Sequence, residues 1–216
     1  MQDRNPEATP GWYDRHVMPR LVGGLCGMKG VRRFRSRIVP EAQGRVVEIG
    51  IGPGHNLPLY DPARVERIWG VDPVLEMTAP AARAIAACPI PVELIAAGAE
   101  SIPLETASAD CAVLTYTACT LPDVPSAMAE LRRVLKPGGQ VLFCEHGASC
   151  DAAVCRWQDR LDPLWARLAG GCHLNRRVDR DLREAGFDVE LRFEGYMPWT
   201  PKPVGYTRIG AARRRD

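Results

Sequence analysis

A short apolar strand that breaks into glycines at alternate positions does most to limit what this chain can become. Val46-Val47-Glu48-Ile49 runs directly into Gly50-Ile51-Gly52-Pro53-Gly54. Glycine has no Cβ and reaches positive φ freely, so such a turn lets backbone approach a ligand closely. A second apolar run, Ile68-Trp69-Gly70-Val71, ends in Asp72, twenty-two residues after Gly50. An acid about 20 residues beyond a glycine turn is where α/β nucleotide sites hold a ribose.

The same alternation continues downstream. Strands are predicted at Val46–Ile49, 67–72, Val92–Ala96, Cys111–Tyr116 and Gln140–Glu145. A short helix is expected near His55-Asn56, limited by Pro58 and Pro62, because proline interrupts a helix interior. Further helices are expected over 75–87, from the spacing of Leu75, Ala79, Ala82, Ile85 and Ala86, and over Pro125–Leu135. Lys136-Pro137-Gly138-Gly139 stops the latter. Strict alternation of strand and helix means a parallel sheet with right-handed crossovers. Val154–Leu168 reads as a helix whose stripe of Trp157, Leu161, Leu164, Trp165 and Leu168 packs on the sheet. A helix over Val178–Ala185, capped by Gly186, precedes a closing strand pair, Phe187–Phe193 and Val204–Ala211.

The chain's 216 residues suit one domain with its own core. A net charge of +2 calls for no nucleic acid. The eight cysteines form no C-x-x-C, and Cys111 and Cys144 lie inside strand-like runs, as small reduced core residues do. With no signal peptide, a reducing, cytoplasmic setting is expected. No metal is expected. The nearest set, Cys150, Cys155, Cys172 and His173, matches no common ligand spacing. No apolar run nears the roughly 18 residues of a membrane span. The segment from Trp12 to Leu25, followed by Arg32, Arg33, Arg35 and Arg37, reads as a helical lid over residues 1–40. The four arginines offer a peripheral membrane contact as the alternative.

The glycine spacing excludes the dinucleotide fingerprint G-x-G-x-x-G. Its last position falls on His55 when read from Gly50 and on Leu57 when read from Gly52. No Gly-Lys-Ser or Gly-Lys-Thr of a phosphate loop follows. The pattern E-x-G-x-G-x-G instead resembles the first motif of class I methyltransferases that use S-adenosyl-L-methionine. Asp72, Gly98-Ala99-Glu100, Asp110 and Glu130-Leu131-Arg132-Arg133-Val134-Leu135-Lys136-Pro137-Gly138-Gly139 follow in that family's order, so the resemblance covers about residues 40–146. A narrower resemblance, to the methyltransferase-like group that methylates alkyl thiols, rests on C-terminal elements. These are Glu145-His146, Trp157-Gln158 with Asp162-Pro163-Leu164-Trp165, Gly171-Cys172-His173-Leu174-Asn175-Arg176 and Gly205-Tyr206. That group's animal members carry an N-terminal apolar anchor that this sequence lacks, and bacterial relatives are labelled phospholipid N-methyltransferases by analogy.

The resemblance implies an α/β, doubly wound, Rossmann-like seven-stranded sheet, mostly parallel with a closing antiparallel strand. It divides the chain into a lid (1–40), a cofactor half (41–146) and an acceptor half (147–216). It implies that Gly50, Gly52 and Gly54 line the cofactor, Asp72 and Pro73 meet its ribose, and Ala99 and Glu100 flank its adenine. It also implies that the methyl group projects toward the end of the fourth strand, at Thr115–Thr120. Glu48 is expected to brace the loop through backbone amides, and Asn56 to cap the first helix or touch the cofactor. The implied reaction is methyl transfer to a small-molecule acceptor, an alkyl thiol, with a phospholipid amine or a quinone precursor as alternative acceptors and a cofactor-binding protein without turnover as the third reading. His146 is the candidate base, because an unperturbed imidazole titrates near neutrality. Tyr116 and Cys119 join it as catalytic candidates, although a cysteine such as Cys119 is more often packing than nucleophile, and Tyr116 and Tyr206 are candidates to shape the acceptor pocket.

Overall fold

A computed structural model describes residues 29–74 and 79–215. The expected lid segment from Trp12 to Leu25 and the predicted helical residue Leu75 lie outside the described residues. Seven strands form one sheet: β1 (Gly44–Ile49), β2 (Val65–Val71), β3 (Val92–Ile95), β4 (Ala109–Thr115), β5 (Leu135–His146), β6 (Phe187–Tyr196) and β7 (Tyr206–Arg214). Their spatial order is β3-β2-β1-β4-β5-β7-β6. The first five are parallel, and β7 runs antiparallel to both β5 and β6. This is the doubly wound sheet expected, with β7 as the closing strand. The helices are α1 (Lys29–Arg35), α2 (Ala79–Ala87), α3 (Val124–Val134), α4 (Ala152–Leu168), α5 (Val178–Glu184) and the single turn α6 (Lys202–Gly205).

Side chains alternate between two cores, one on each face of the sheet, as the period of two in a strand requires. Val47, Ile49, Ala112, Leu114, Val141 and Phe143 join the α3 and α5 side. Val46, Cys111, Val113, Leu142 and Cys144 join the other, with Val31 and Phe34 of α1. Cys111 and Cys144 are fully buried, and burial pushes each thiol up to about 12. Helix α3 starts at Asp123, whose carboxylate accepts from the Ser126 amide at 3.2 Å. Its buried stripe is Ala127, Met128, Leu131 and Val134. Burying a side chain such as Leu131 contributes about 1.5–3 kcal/mol.

Strict alternation fails in two places. After β1 there is no α-helix but a 3-10 turn, Leu57–Leu59, since Pro58 supplies no amide for a longer ladder. No helix lies between β3 and β4, where Arg133 pins the connection instead by donating to the Ile102 and Leu104 carbonyls at 2.7 Å each. The Lys136–Gly139 segment ends α3 but falls within β5. Leu135 pairs with Ala109 and Gln140 with Cys111, so the intervening residues bulge.

Helix α4 lies the other way round from the orientation its apolar stripe predicts. Its predicted core stripe faces outward: Trp157, Leu164 and Leu168 are 57%, 59% and 56% exposed. The buried side is Val154, Gln158 and Asp162. Helical spacing finds a stripe but not its direction, and here two polar side chains turn inward because loops need them. Gln158 accepts from the Ser149 amide at 2.8 Å and donates to the Gly147 and Pro203 carbonyls at 2.9 Å each. Asp162 accepts from the Leu174 amide at 2.7 Å and contacts His173 Nδ1 at 2.8 Å.

Candidate active site

Strand order reverses at β1, whose neighbours are β2 and β4, and ligands of open α/β sheets bind beyond the carboxyl ends at such a point. The glycine loop leaves β1 there. Gly50, Gly52 and Gly54 have φ of +69°, +48° and +76°. A Cβ on Gly50 would stand 2.5 Å from Thr117 Oγ1, whereas one on Gly52 would meet only the Gly50 carbonyl, at 4.0 Å. The space over Gly52 is therefore open, as a cradle for a closely approaching ligand needs. Asp72 accepts from the Gly52 amide at 3.0 Å and from the Val74 amide at 2.9 Å. A carboxylate has about four lone-pair sites, so two remain for a ligand's hydroxyls. Pro73 beside it is exposed.

Beneath the loop lies a buried polar network. Asn56 donates to Glu48 Oε1 at 3.0 Å and to Thr115 Oγ1 at 2.9 Å, and Tyr60 donates to Glu48 Oε2 at 2.7 Å. Asn56 thus makes no side-chain cap to the turn that follows it, and Glu48 braces side chains rather than backbone amides. Burial raises the Glu48 carboxyl to about 7 against the pull of Tyr60 and Arg35. Ala99 is buried in the core, and the Glu100 carboxylate folds back over Gly98 and accepts from the Asp123 amide at 3.3 Å.

At the ends of β4 and β5, Glu145 accepts from the Thr117 and Ala118 amides at 2.7 and 3.0 Å. This holds a turn in which Tyr116 sits at φ +53°, an uncommon conformation for a residue with a side chain. The Tyr116 ring stacks on His146 with centroids 6.4 Å apart, and the Arg35 guanidinium lies 5.3 Å from its centroid. Arg35 is buried, while Arg37 lies over Phe34 and Phe193. Of the four arginines expected on a membrane-facing surface, Arg35 is therefore turned into the protein, while Arg32, Arg33 and Arg37 are exposed. Tyr206 is buried against Tyr196 and Arg208.

His146 is not an isolated imidazole. Its Nε2 lies 3.2 Å from Cys172 Sγ, and Cys119 joins them, all three ligand atoms falling within 4.8 Å of one another. Trp165 donates its indole N–H to Cys172 Sγ at 3.4 Å. Hydrogen bonds from Cys119, then from His146 and Trp165, bring the Cys172 thiol down to about 4 despite burial. Burial pushes the His146 imidazole down, but the bond to Cys172 and the charges of Cys172 and Glu145 outweigh it and raise its pKa. The 172–176 loop is tied over the β4 turn, with the His173 amide donating to the Cys119 carbonyl at 2.8 Å and Arg176 to the Ala118 carbonyl at 2.6 Å. Sequence reasoning missed Arg35 and Tyr60 as parts of this region and met Gln158, Asp162 and Cys172 only as elements of the resemblance, without a role at the site. Only the one-turn spacing of Gln158 and Asp162 could have signalled a shared role. The cavity of about 560 Å³ between α3 and α5 and that of about 590 Å³ at the amino ends of β1 and β4 both lie away from the glycine loop.

Residues 47–143 match the family described as methyltransferase domain. Thiol S-methyltransferase TMT1B of Homo sapiens is 31% identical over 180 residues, covering 79% of this chain and 72% of that protein. Its counterpart in Rattus norvegicus is 28% identical over 169 residues, covering 76% of this chain and 66% of that protein. More limited matches include phosphatidylethanolamine N-methyltransferase of Cereibacter sphaeroides, 32% identical over 54% of this chain and 58% of that one. Another is the ubiquinone/menaquinone biosynthesis C-methyltransferase of Syntrophotalea carbinolica, 30% identical over 66% of this chain and 62% of that one. Among solved structures, a SAM-dependent methyltransferase of Thermotoga maritima, titled a possible histamine N-methyltransferase, superposes with a TM-score of 0.63 at 23% identity, covering 93% of this chain and 99% of that one. A glycine loop at the switch point, an acid closing β2, and matches that run from β1 into the C-terminal elements agree: the chain belongs to the class I S-adenosyl-L-methionine-dependent methyltransferases.

Proposed function

We propose that this chain methylates the sulfur of a small alkyl thiol, with S-adenosyl-L-methionine supplying an already electrophilic methyl group. Gly50, Gly52 and Gly54 would let the cofactor lie against backbone, Asp72 would accept from its ribose hydroxyls, and Pro73, Ala99 and Glu100 would flank the adenosine. Glu48, Asn56 and Thr115 would act from below by fixing the loop, since all three are buried. The observation that carries the thiol reading is the cluster of Cys119, His146 and Cys172 beside Tyr116, contributed in part by the C-terminal elements in which the resemblance to thiol methyltransferases lies. An acceptor thiol of pKa about 8.5 is already a few per cent thiolate at neutral pH, so the protein's main task is alignment, worth about 7–11 kcal/mol.

A second reading is methylation of a phospholipid amine. The exposed apolar stripe of α4 favours it, as such a face can rest on a lipid surface. The deciding assay offers labelled cofactor to the purified protein with a panel of thiols, aminophospholipid vesicles and a quinone precursor. Label on a thiol is expected. Label on lipid or quinone alone replaces the thiol reading, and cofactor binding with no labelled acceptor makes the chain a binder.

A further inference from the structure

We infer that Cys119, His146 and Cys172 are three ligands of a zinc-type divalent cation whose fourth position is open to the acceptor. The three come from separate parts of the chain: the turn after β4, the last residue of β5, and the loop after α4. Two sulfurs and one imidazole with a fourth position left to water or substrate is a known form of catalytic zinc site. The dimensions suit it. Zinc–sulfur bonds of about 2.3 Å and zinc–nitrogen bonds of about 2.0–2.1 Å in a tetrahedron put the ligand atoms about 3.5–3.8 Å apart. Here His146 Nε2 and Cys172 Sγ are 3.2 Å apart and all three ligand atoms lie within 4.8 Å, so side-chain shifts of up to about 1 Å admit the ion.

The surroundings are those of a held ligand set. The Trp165 N–H on Cys172 Sγ is the kind of outer-sphere bond that orients a thiolate. The Cys172 loop is fixed through its next two residues, by His173 and Leu174 on Asp162 of α4 and by the His173 amide on the Cys119 carbonyl. Cys119 is buried, whereas His146 and Cys172 are only half-buried, so the cluster is closed from below and reachable from one side. The turn that carries Cys119 adjoins the glycine loop, because Thr117, two residues before Cys119, packs against Gly50.

The open position rests on the thiol reading above; the three-ligand site does not. A thiol taking that position loses its proton to solvent, as metal coordination deprotonates thiols. A lone pair of the bound sulfur then forms a bond to the methyl carbon, and the pair of the breaking carbon–sulfur bond returns to the sulfonium sulfur. Thiolate and sulfonium become two neutral thioethers, and the methylated product, a weak ligand, leaves. His146 serves as a ligand here, so no side-chain base is required.

The test measures metal in the reduced, purified full chain and follows titration of its metal-free form with Co(II). The expected results are one zinc per chain and a thiolate-to-cobalt charge-transfer band. Both should be lost in Cys119→Ser, Cys172→Ser and His146→Asn, with far-ultraviolet circular dichroism confirming each fold. X-ray absorption should count two sulfurs at the zinc, and three once an alkyl thiol is added without cofactor. Trp165→Phe should keep the fold and weaken metal retention roughly 10–100-fold. A folded wild type that takes up neither zinc nor cobalt overturns the inference, as does a Cys119–Cys172 disulfide in its place. Thiol methylation at full rate by metal-free protein also overturns it while sparing the thiol reading. A loaded site in a protein that methylates no thiol sinks the thiol reading and leaves the metal site standing.

Discussion

Gly50 and Gly52 stand two residues apart in one motif and both need positive φ, yet their surroundings set them apart. At Gly52 an alanine meets open space, so Gly52→Ala should cost about 1–2 kcal/mol of stability from backbone conformation alone. At Gly50 the same change also drives a methyl into Thr117, so Gly50→Ala should cost measurably more. Urea melts of the two variants check this, and equal losses would remove the distinction. Asp72→Ala should weaken cofactor binding by about 1.5–3 kcal/mol in calorimetry, through the lost ribose contact and a loosened Gly52 amide. Unchanged affinity would refute the ribose assignment. The glycine turn and Asp72 were legible because their roles are backbone ones, written in residue type and spacing. Cys172 was not, for its partners lie 26 and 53 positions earlier, at His146 and Cys119, and no local pattern encodes such a meeting.

At the scale of elements, α4 teaches the most. Periodicity correctly gave a helix with one apolar stripe, but the loops around Gly147, Leu174 and Pro203 took the other side. Gln158 and Asp162 contribute more through five loop contacts than a leucine would through burial. Gln158→Leu strands the Ser149 amide and the Gly147 and Pro203 carbonyls, and should cost about 2–4 kcal/mol. Leu164→Gln on the exposed side should change stability by no more than about 0.5 kcal/mol. Chemical denaturation of both variants decides the orientation: a large loss at Leu164 and none at Gln158 would reverse it. The missing helix after β1 has a similar origin. Pro58 was read as shortening a helix, and the chain instead settled for one 3-10 turn with Asn56 turned toward Glu48.

For the molecule as a whole, strand order and the position of the switch point follow from the run of β and α segments, which is why the fold was legible. The charge buried beneath the switch point was not. Glu48 is neutral more readily in the folded chain, its pKa rising from 4.5 to about 7. Folding therefore benefits fully from its protonated form below pH 4.5, and this benefit is lost as pH rises toward about 7. The loss amounts to about 3 kcal/mol, or roughly 6–12 °C in a chain of this size. Glu48→Gln should flatten the melting temperature between pH 5 and 7.5, and an unchanged slope would place the titration elsewhere. The contact between Trp165 and Cys172 has an optical consequence. Among the described tryptophans, Trp165 alone touches the sulfur cluster, while Trp157 and Trp199 lie exposed and Trp69 is buried in the sheet core. Its indole emission is thus a built-in gauge of whatever happens at Cys172, readable in solution without any label.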